Sequence, residues 1–314
     1  MGDTTEISWT DATFNPWIGC QHVSPGCDHC YAEAQNAFRK WTAGGAWGPR
    51  AERRRTSAAT WNNPSRWNAE APTFTRAYGR RRRVFCASLA DVFDNQAPRA
   101  WRADLFRLIR ETPELDWQLL TKRPQNIARM LPADWGEGYP NVWLGVTAED
   151  AERFRMRWPI VSRVPAARRF LSYEPAIAPL GAIDIRKANC LPDWIICGGE
   201  SGGHARVMHP AWARHVRDQC CALGIAFFHK QWGTYWSNPL VQEDGLLLAE
   251  AERCDPRTNG KGGALLDGRL HRDFPSEQCA VNQRASAGLL GSVSPIPRAD
   301  RAARTLRLRG GEGS

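Results

Sequence analysis

The sequence contains no run of about 18 apolar residues, the length that a membrane-spanning helix requires. The first residues, MGDTTEISWTD, are acidic and lack the charged and apolar segments of a secretory signal. We therefore expect a soluble, cytoplasmic protein that has no membrane partner and whose thiols stay reduced. Ten cysteines in a chain of this kind favour metal or redox chemistry over disulfide bonds.

Acidic residues are outnumbered by basic ones, since 33 Asp and Glu stand against 42 Lys and Arg. The formal net charge is +9, and arginine supplies far more of the positive charge than lysine. A balance of this kind favours polyanionic partners. The composition therefore indicates nucleic acid or a nucleotide as the first class of partner.

Short apolar runs alternate with segments of helical spacing from Arg83 onward. The predicted strands are VFCASLAD (84–91), DWQLLTKRP (116–124), VWLGVTAED (142–150), RRFLSYEP (168–175), DWIICGGES (193–201) and IAFFHKQWG (225–233). This alternation predicts an α/β protein whose parallel sheet is covered by helices on its outer face. With a first strand that ends near Asn15, we expect a TIM-like parallel β/α barrel, partial or near-closed. A doubly wound open sheet is the alternative.

The barrel domain is expected to span residues 1–275. Residues 36–82 interrupt the alternation and form an Arg/Trp-rich insertion after the first β/α unit. Residues 276–314 are rich in Ala, Arg, Gly and Ser and have no periodicity, which predicts a disordered tail.

The insertion interleaves aromatic residues with arginines. Its aromatic residues are Trp41, Trp47, Trp61, Trp67, Phe74 and Tyr78, and its arginine runs are Arg53–Arg55 and Arg80–Arg83. Bases stack on aromatic rings while guanidinium groups bind phosphates, so this pattern is typical of binding to single-stranded or unstacked nucleic acid. We therefore predict that Arg80, Arg81, Arg82 and Arg83 bind the substrate. In the alternative, the Trp residues pack over the barrel and the arginine runs are solvated.

Polar residues stand where the predicted strands end. In a β/α barrel the carboxyl ends of the strands line one mouth, and active sites lie there. The residues expected at this mouth are Asp91, Lys122, Arg123, Thr147, Glu149, Glu174, Glu200, Lys230 and Gln231. We predict that the basic residues among them, Lys122, Arg123 and Lys230, bind the substrate.

Three cysteines lie within GCQHVSPGCDHC, residues 19–30, with the spacing C-x6-C-x2-C. They are Cys20, Cys27 and Cys30. A zinc site would take His22 or His29 as a fourth ligand and close into a tetrahedral structural site. A [4Fe-4S] cluster can take only three cysteines and leave one iron open to a substrate or cofactor. Three buried cysteines without a metal are the third possibility.

The position of this loop, after a first strand of a partial barrel, resembles the radical S-adenosylmethionine (SAM) superfamily. Tyr31, directly after the last cysteine, and the strand-end GGE at 198–200 are similar to that superfamily as well. The resemblance implies a [4Fe-4S] cluster on the three cysteines, with SAM bound to its open iron through amino and carboxylate groups. It also implies an electron donor, whose electron cleaves SAM to a 5′-deoxyadenosyl radical. The residues expected to bind SAM are Asp91, Thr147, Glu149, Glu174 and Glu200.

A closer resemblance covers most of residues 5–275. The strings that carry it, in order, are NPWIGCQHVSPGCDHCYAE, SLADVF, TKRP, GVTAE, SYEP, GGESG, FFHKQWG and LLDGR. They are similar to a phage-associated, radical-SAM-like family of unknown function with the motif NPWxGCxxVSPGCxxCYAE. That resemblance implies a separate three-Cys-motif partner protein as a candidate partner.

The leading hypothesis is a radical SAM-like iron–sulfur enzyme that acts on nucleic acid or a nucleotide, in phage-related modification or repair. The alternative is a nucleic-acid-binding protein with a structural zinc site or a SAM-independent Fe–S site. The ring of carboxylates and lysines at the strand ends favours the enzyme, because a binding module needs no such cavity.

Overall fold

The computed structural model describes residues 4–42, 45–184, 190–234 and 248–275. The predicted tail, residues 276–314, lies outside the described residues. The strands are β1 (Ala12–Thr13), β2 (Trp17–Ile18), β3 (Arg54–Arg55), β4 (Arg82–Cys86), β5 (Leu115–Thr121), β6 (Val142–Thr147), β7 (Arg168–Tyr173), β8 (Trp194–Gly198), β9 (Ala226–Gln231), β10 (Leu265–Leu266) and β11 (Arg269–Leu270). The helices are α1 (Tyr31–Arg39), α2 (Ala58–Ala69), α3 (Ala71–Tyr78), α4 (Arg99–Glu111), α5 (Ile127–Met130), α6 (Ala151–Val161), α7 (Pro210–Leu223) and α8 (Leu248–Arg253). No helix in these described ranges is long and apolar enough to cross a membrane.

Seven strands form one sheet in the order β1-β4-β5-β6-β7-β8-β9, and all neighbouring strands are parallel. The sheet is curled into a half-barrel with flanking helices. Strands that follow one another along the chain, from β4 to β9, are neighbours, whereas a doubly wound sheet reverses its order at a switch point. The predicted α/β class and parallel sheet are confirmed. Asp91, Lys122, Glu149, Glu174 and Glu200 lie beyond the ends of their strands, whereas Lys230 and Gln231 lie within β9.

Side chains of each strand alternate between two apolar layers. On the helix-covered face, Val84 and Trp117 belong to one buried cluster with Leu105 and Ile109 of α4. On the inner face, a second cluster is formed by Trp9, Phe85, Trp143, Phe170, Trp194, Ile196 and Phe228. This inner cluster fills the half-barrel between its two ends.

The inner cluster depends on one small residue. Gly145 of β6 lies against Phe170 of β7, and a Cβ at position 145 would stand 2.3 Å from the Phe170 ring. The missing side chain therefore makes room for the phenyl ring, and any larger residue would displace it.

The Arg/Trp-rich insertion packs against the half-barrel. Trp67 of α2 is 1% exposed and belongs to the main core. Arg53 donates to Asp94 at 2.6 Å, and both side chains are fully buried. Arg55 lies 4.1 Å from the ring centroid of Trp61. Within this run Arg53 is buried, Arg54 is exposed and Arg55 is intermediate, so the run is only partly solvated.

Candidate functional site

A cavity of about 440 Å³ opens at the carboxyl ends of the parallel strands. All three cysteines of residues 19–30, which we call the cysteine loop, line it. Predicted strand-end residues also line it, and they are Asp91, Lys122, Arg123, Thr147, Glu174, Glu200, Lys230 and Gln231. Glu149 and Arg80–Arg83, also predicted as site residues, are not among its lining residues. We call this space the cysteine cavity.

The cysteine loop connects β2 to α1. Gly19 begins it with a φ of +114°, and a Cβ there would lie 2.4 Å from the carbonyl oxygen of Ala46, so only glycine fits. A 3₁₀ turn over Pro25–Cys27 folds the chain back, and Cys30 is the N-cap residue of α1. These turns bring three cysteines that are close in sequence to the same cavity.

Arg123 fixes the first part of the cysteine loop. Its guanidinium donates to Asp91 at 3.1 Å, to Cys20 Sγ at 3.4 Å and to the Gln21 carbonyl at 2.8 Å. Asp91 also accepts the backbone N–H of Lys122 at 3.0 Å. Because Arg123 and Asp91 are both buried, this charge-assisted network restrains Cys20 strongly.

Glu149 holds the middle of the loop. Its Oε1 accepts the backbone N–H of Gly26 at 3.3 Å, and its Oε2 accepts from Arg157 at 2.9 Å. Burial would raise the pKa of Glu149, but the charges of Arg157 and Lys122 together with hydrogen bonds outweigh it, and the pKa lies below its usual value. Glu149 is therefore a buried anion that ties the end of β6 to the loop.

Glu200 and Arg206 hold the last part of the loop. Arg206 donates to Glu200 Oε1 at 2.6 Å and to the Pro25 carbonyl at 2.8 Å. It also pairs with Asp28 at 3.1 Å, while His29 Nδ1 lies 2.9 Å from Glu200 Oε2. Arg206 lies in an irregular segment between β8 and α7, where no sequence pattern indicates a functional residue. The loop is thus fixed at three points by groups that follow β5, β6 and β8.

Lys122 lies among the thiols of the cysteine loop. Burial would lower the pKa of Lys122, but the three cysteines and Glu149 raise it above its usual value. Burial raises the pKa of the Cys20 thiol to about 11, against the opposing charge of Arg123. The Lys122 ammonium therefore supplies positive charge beside the thiols.

Other polar and aromatic groups complete the cavity. Glu174, after β7, forms an ion pair with Lys230 of β9. Thr147, at the end of β6, is buried and lines the same space. Trp41 and Trp47 of the insertion line it as well. The lining of the cavity thus includes this ion pair, the Thr147 hydroxyl and the indole rings of Trp41 and Trp47, in addition to the loop and its anchors.

The two histidines of the cysteine loop, considered above as fourth ligands for zinc, each contact a carboxylate. His22 Nε2 lies 2.5 Å from Asp28 Oδ1, and His29 Nδ1 contacts Glu200. One ring nitrogen of each histidine is therefore engaged away from the thiols.

Arg80–Arg83 lie at the opposite end of the half-barrel, where β4 begins. Arg80 donates to both carboxylate oxygens of Asp11, at 2.6 and 2.9 Å. The guanidinium of Arg83 lies 3.5 Å from the ring centroid of Phe274. These arginines, predicted to bind the substrate, are therefore separated from the cysteine cavity by the inner cluster.

None of the other six described cysteines lines the cavity. Cys86 and Cys197 are fully buried in β4 and β8, and burial raises the pKa of both thiols. Cys220 is buried on α7, whereas its neighbour Cys221 is exposed. These residues are placed as core or surface cysteines, away from the loop.

Within the described part of the chain, no three His, Cys, Asp or Glu side chains stand together as a preformed metal site. The donor set nevertheless fits a sulfur-ligated metal, since three thiols from one short loop face one cavity beside a lysine. The carboxylates of the loop anchors, Asp91, Glu149 and Glu200, are paired with arginines.

Comparison with known proteins gives a family but no described relative. No curated protein and no solved structure matches the chain significantly. A family model described as "Protein of unknown function (DUF5131)" matches residues 4–275, which is most of the chain. The chain therefore belongs to the DUF5131 family of proteins of unknown function.

Proposed function

We propose that the chain is a radical SAM-like iron–sulfur enzyme that acts on nucleic acid or a nucleotide. One observation carries the proposal: three cysteines of a single loop line a cavity at the carboxyl ends of parallel strands, together with lysines and carboxylates. Active sites of β/α barrels lie at this end. We interpret the half-barrel as a partial TIM-like barrel, in keeping with its sequential parallel strands.

Cys20, Cys27 and Cys30 would hold a [4Fe-4S] cluster through their thiolates. When bound, such a cluster supplies an open iron for SAM and the electron that cleaves the sulfonium bond. Lys122, which lies among the thiols, provides charge compensation for an anionic group at this position.

The strand-end residues divide into two groups by their contacts. Asp91, Glu149 and Glu200 already bind arginines and restrain the loop, so we assign them to positioning it. Thr147 and Glu174 line the cavity without such a contact to the loop, so we assign them to the polar groups of SAM. A carboxylate and a hydroxyl suit an ammonium and ribose hydroxyls.

The substrate class rests on the cationic and aromatic groups of the cavity. Lys122 and Lys230 suit phosphate oxygens, and Trp41 and Trp47 offer faces on which an unstacked base can lie. The two indoles also exclude water from part of the cavity, which protects reactive species from side reactions. An electron donor is required, and a three-Cys-motif partner protein is the candidate protein partner.

The first test is the metal. After anaerobic reconstitution the full chain should bind about four irons. Cys27→Ala should lose the iron, whereas Cys197→Ala, which removes a thiol outside the cavity, should keep it. Stoichiometric zinc without iron would instead support the structural zinc alternative, and equal loss in both variants would contradict the assigned ligands.

The second test is the reaction. The reconstituted protein is reduced with dithionite in the presence of SAM, and 5′-deoxyadenosine is measured by chromatography, with Cys30→Ala as control. Product above the control level is expected. An iron-loaded protein that neither binds SAM nor forms this product would leave a structural or electron-transfer cluster in place of the enzyme.

A further inference from the structure

A second pocket, of about 230 Å³, lies at the end of the half-barrel away from the cysteines. Four arginines line it, and they are Arg80, Arg83, Arg257 and Arg272. They come from the segment before β4, from β4 itself, and from two segments between α8 and the end of the described chain. We call this the amino-terminal pocket.

The carboxylates near the pocket do not pair with all four of these arginines. Asp11 pairs with Arg80 at 2.6 Å, and Asp255 pairs with both Arg257 and Arg272 at 2.9 and 2.5 Å. Arg83 forms no ion pair with any described residue, and Asp11 and Asp116 act on it only at longer range. One guanidinium therefore lacks a paired counter-charge.

Arg83 is buried even though it forms no ion pair with a described residue. It is 9% exposed, and its guanidinium lies between Phe274 and Trp143, at 3.5 and 5.8 Å from the two ring centroids. Burial, and then repulsion by Arg80, lowers the pKa of Arg83 to about 10. Because burial destabilises this cation, an anion in the pocket would bind with a favourable charge interaction.

Buried hydrogen-bond donors of residues that line the pocket also lack partners. Ser8 Oγ, Trp9 Nε1 and Arg83 Nε are buried and have no hydrogen-bond partner among the described residues. All three residues line the pocket, although Trp9 lines the cysteine cavity too. Buried polar groups without partners are costly, and a ligand with several acceptor oxygens would satisfy donors of this kind.

We propose that the amino-terminal pocket binds a phosphate group. Guanidinium groups match the oxygens of phosphate in geometry and charge, and the pocket offers unpartnered donors to an acceptor-only ligand. The faces of Phe274 and Phe228 are covered by Arg83 and Arg272, so the pocket recognises the phosphate and not a base. The site is separate from the cysteine cavity and does not depend on the proposed reaction.

The test measures binding to the metal-free full chain by calorimetry and by thermal unfolding, with inorganic phosphate against chloride at equal ionic strength. Phosphate should raise the unfolding temperature of the wild type by mass action. Arg83→Met keeps the apolar contact with Phe274 but removes the charge, and should weaken phosphate binding about tenfold or more. Arg107→Met removes the same charge from the exposed face of α4, where Arg107 is 59% exposed, and should bind as the wild type does.

A short single-stranded oligonucleotide without terminal phosphates distinguishes the source of the ligand. If it binds and Arg83→Met weakens it, the site takes phosphates of a nucleic-acid backbone. If only inorganic phosphate binds in this Arg83-dependent way, the site takes a free phosphate or phosphomonoester. Equal phosphate binding by the wild type and Arg83→Met, or no binding of either ligand, overturns the proposal. Arg272→Met replaces the first variant if that variant does not fold, and Cys30→Ala should bind phosphate normally.

Discussion

Arg206 donates three hydrogen bonds to the Glu200 carboxylate, from its backbone N–H and Nε to Oε2 at 2.9 Å each and from Nη2 to Oε1 at 2.6 Å. Glu200 is 4% exposed, and the same guanidinium binds the Pro25 carbonyl of the cysteine loop. The burial of Glu200 opposes its ionisation, yet Arg206 holds its pKa below the usual value. The pair therefore joins the end of β8 to the cysteine loop.

Arg206→Gln should loosen the cysteine loop. It removes the contacts to Glu200 and Pro25, which we expect to lower the local opening free energy by about 1–3 kcal/mol. Backbone amides of the loop should then exchange at least several times faster in the metal-free protein, as measured by hydrogen exchange and mass spectrometry. Arg107→Gln, on the exposed face of α4, should leave this exchange unchanged. Identical loop exchange in the Arg206 variant and the wild type would show that the pair does not restrain the loop.

Gly19→Ala should destabilise the same loop from its other end. The substitution combines a φ of +114° with a Cβ at 2.4 Å from the Ala46 carbonyl oxygen, so backbone must move. We expect a loss of about 1–3 kcal/mol in the free energy of unfolding and weaker iron retention. Gly203→Ala is the matched control, since a Cβ there meets nothing within 4 Å. Denaturant unfolding of both variants makes the comparison, and equal stabilities would contradict the steric argument.

Arg53→Ala should be among the most destabilising single changes in the insertion. Arg53 and Asp94 are paired at 2.6 Å with both side chains fully buried, so the substitution leaves a buried carboxylate without its counter-charge. The expected loss is about 3–5 kcal/mol in the free energy of unfolding. Arg107→Ala breaks an exposed pair with Asp104 and should cost less than about 1 kcal/mol. Urea unfolding curves test this, and similar midpoints for the two variants would contradict it.

His229 should make the fold less stable in acid. The side chain is fully buried, and burial, followed by the charges of Arg272 and His271, lowers its pKa to about 3. The unfolded chain, with an ordinary histidine pKa of about 6.5, therefore binds a proton that the folded chain does not bind. Between these two values the free energy of unfolding should fall as the pH falls, by up to about 1.4 kcal/mol per pH unit.

His229→Phe removes this titration and should flatten the pH dependence of unfolding between pH 6.5 and 4, whatever its effect at pH 7. Free energies of unfolding from urea curves at several pH values measure the slope. His215→Phe, at an exposed position on α7, controls for the loss of one histidine. An unchanged slope in His229→Phe would mean that another group causes the acid sensitivity.

The strands were predictable because buried parallel strands appear as continuous apolar runs. Every residue of β6, VWLGVT, is buried, and the polar residues that follow it end the run. That pattern locates a strand end at the mouth of the half-barrel. The pattern does not identify the residue that Glu149 contacts, because that residue, Gly26, lies 123 positions away in the sequence. The anchoring role of Glu149 therefore required the folded chain.

Arg206 and Arg83 show two further limits of what the sequence predicts. Arg206 follows GGESGGHA, a segment with neither strand nor helix periodicity, so no pattern marked it. The sequence did indicate Arg83, but only as one member of an arginine run that either binds nucleic acid or is solvated. Its position at the start of an apolar run already indicated the amino end of a strand, opposite the cysteines. The alternation of side chains along a strand further places Arg82 and Arg83 on different faces.

The three anchors of the cysteine loop also determine when the site can form. The cysteines themselves lie between positions 20 and 30, so iron could reach all three on a chain that has not yet folded. The contacts that shape the loop connect residues 102, 123 and 181 positions apart. Closing such long loops is slow and requires the sheet to be complete through β8. A metal captured early would be held by sulfur alone, and a closed, restrained pocket around it would arise only in the last stage of folding.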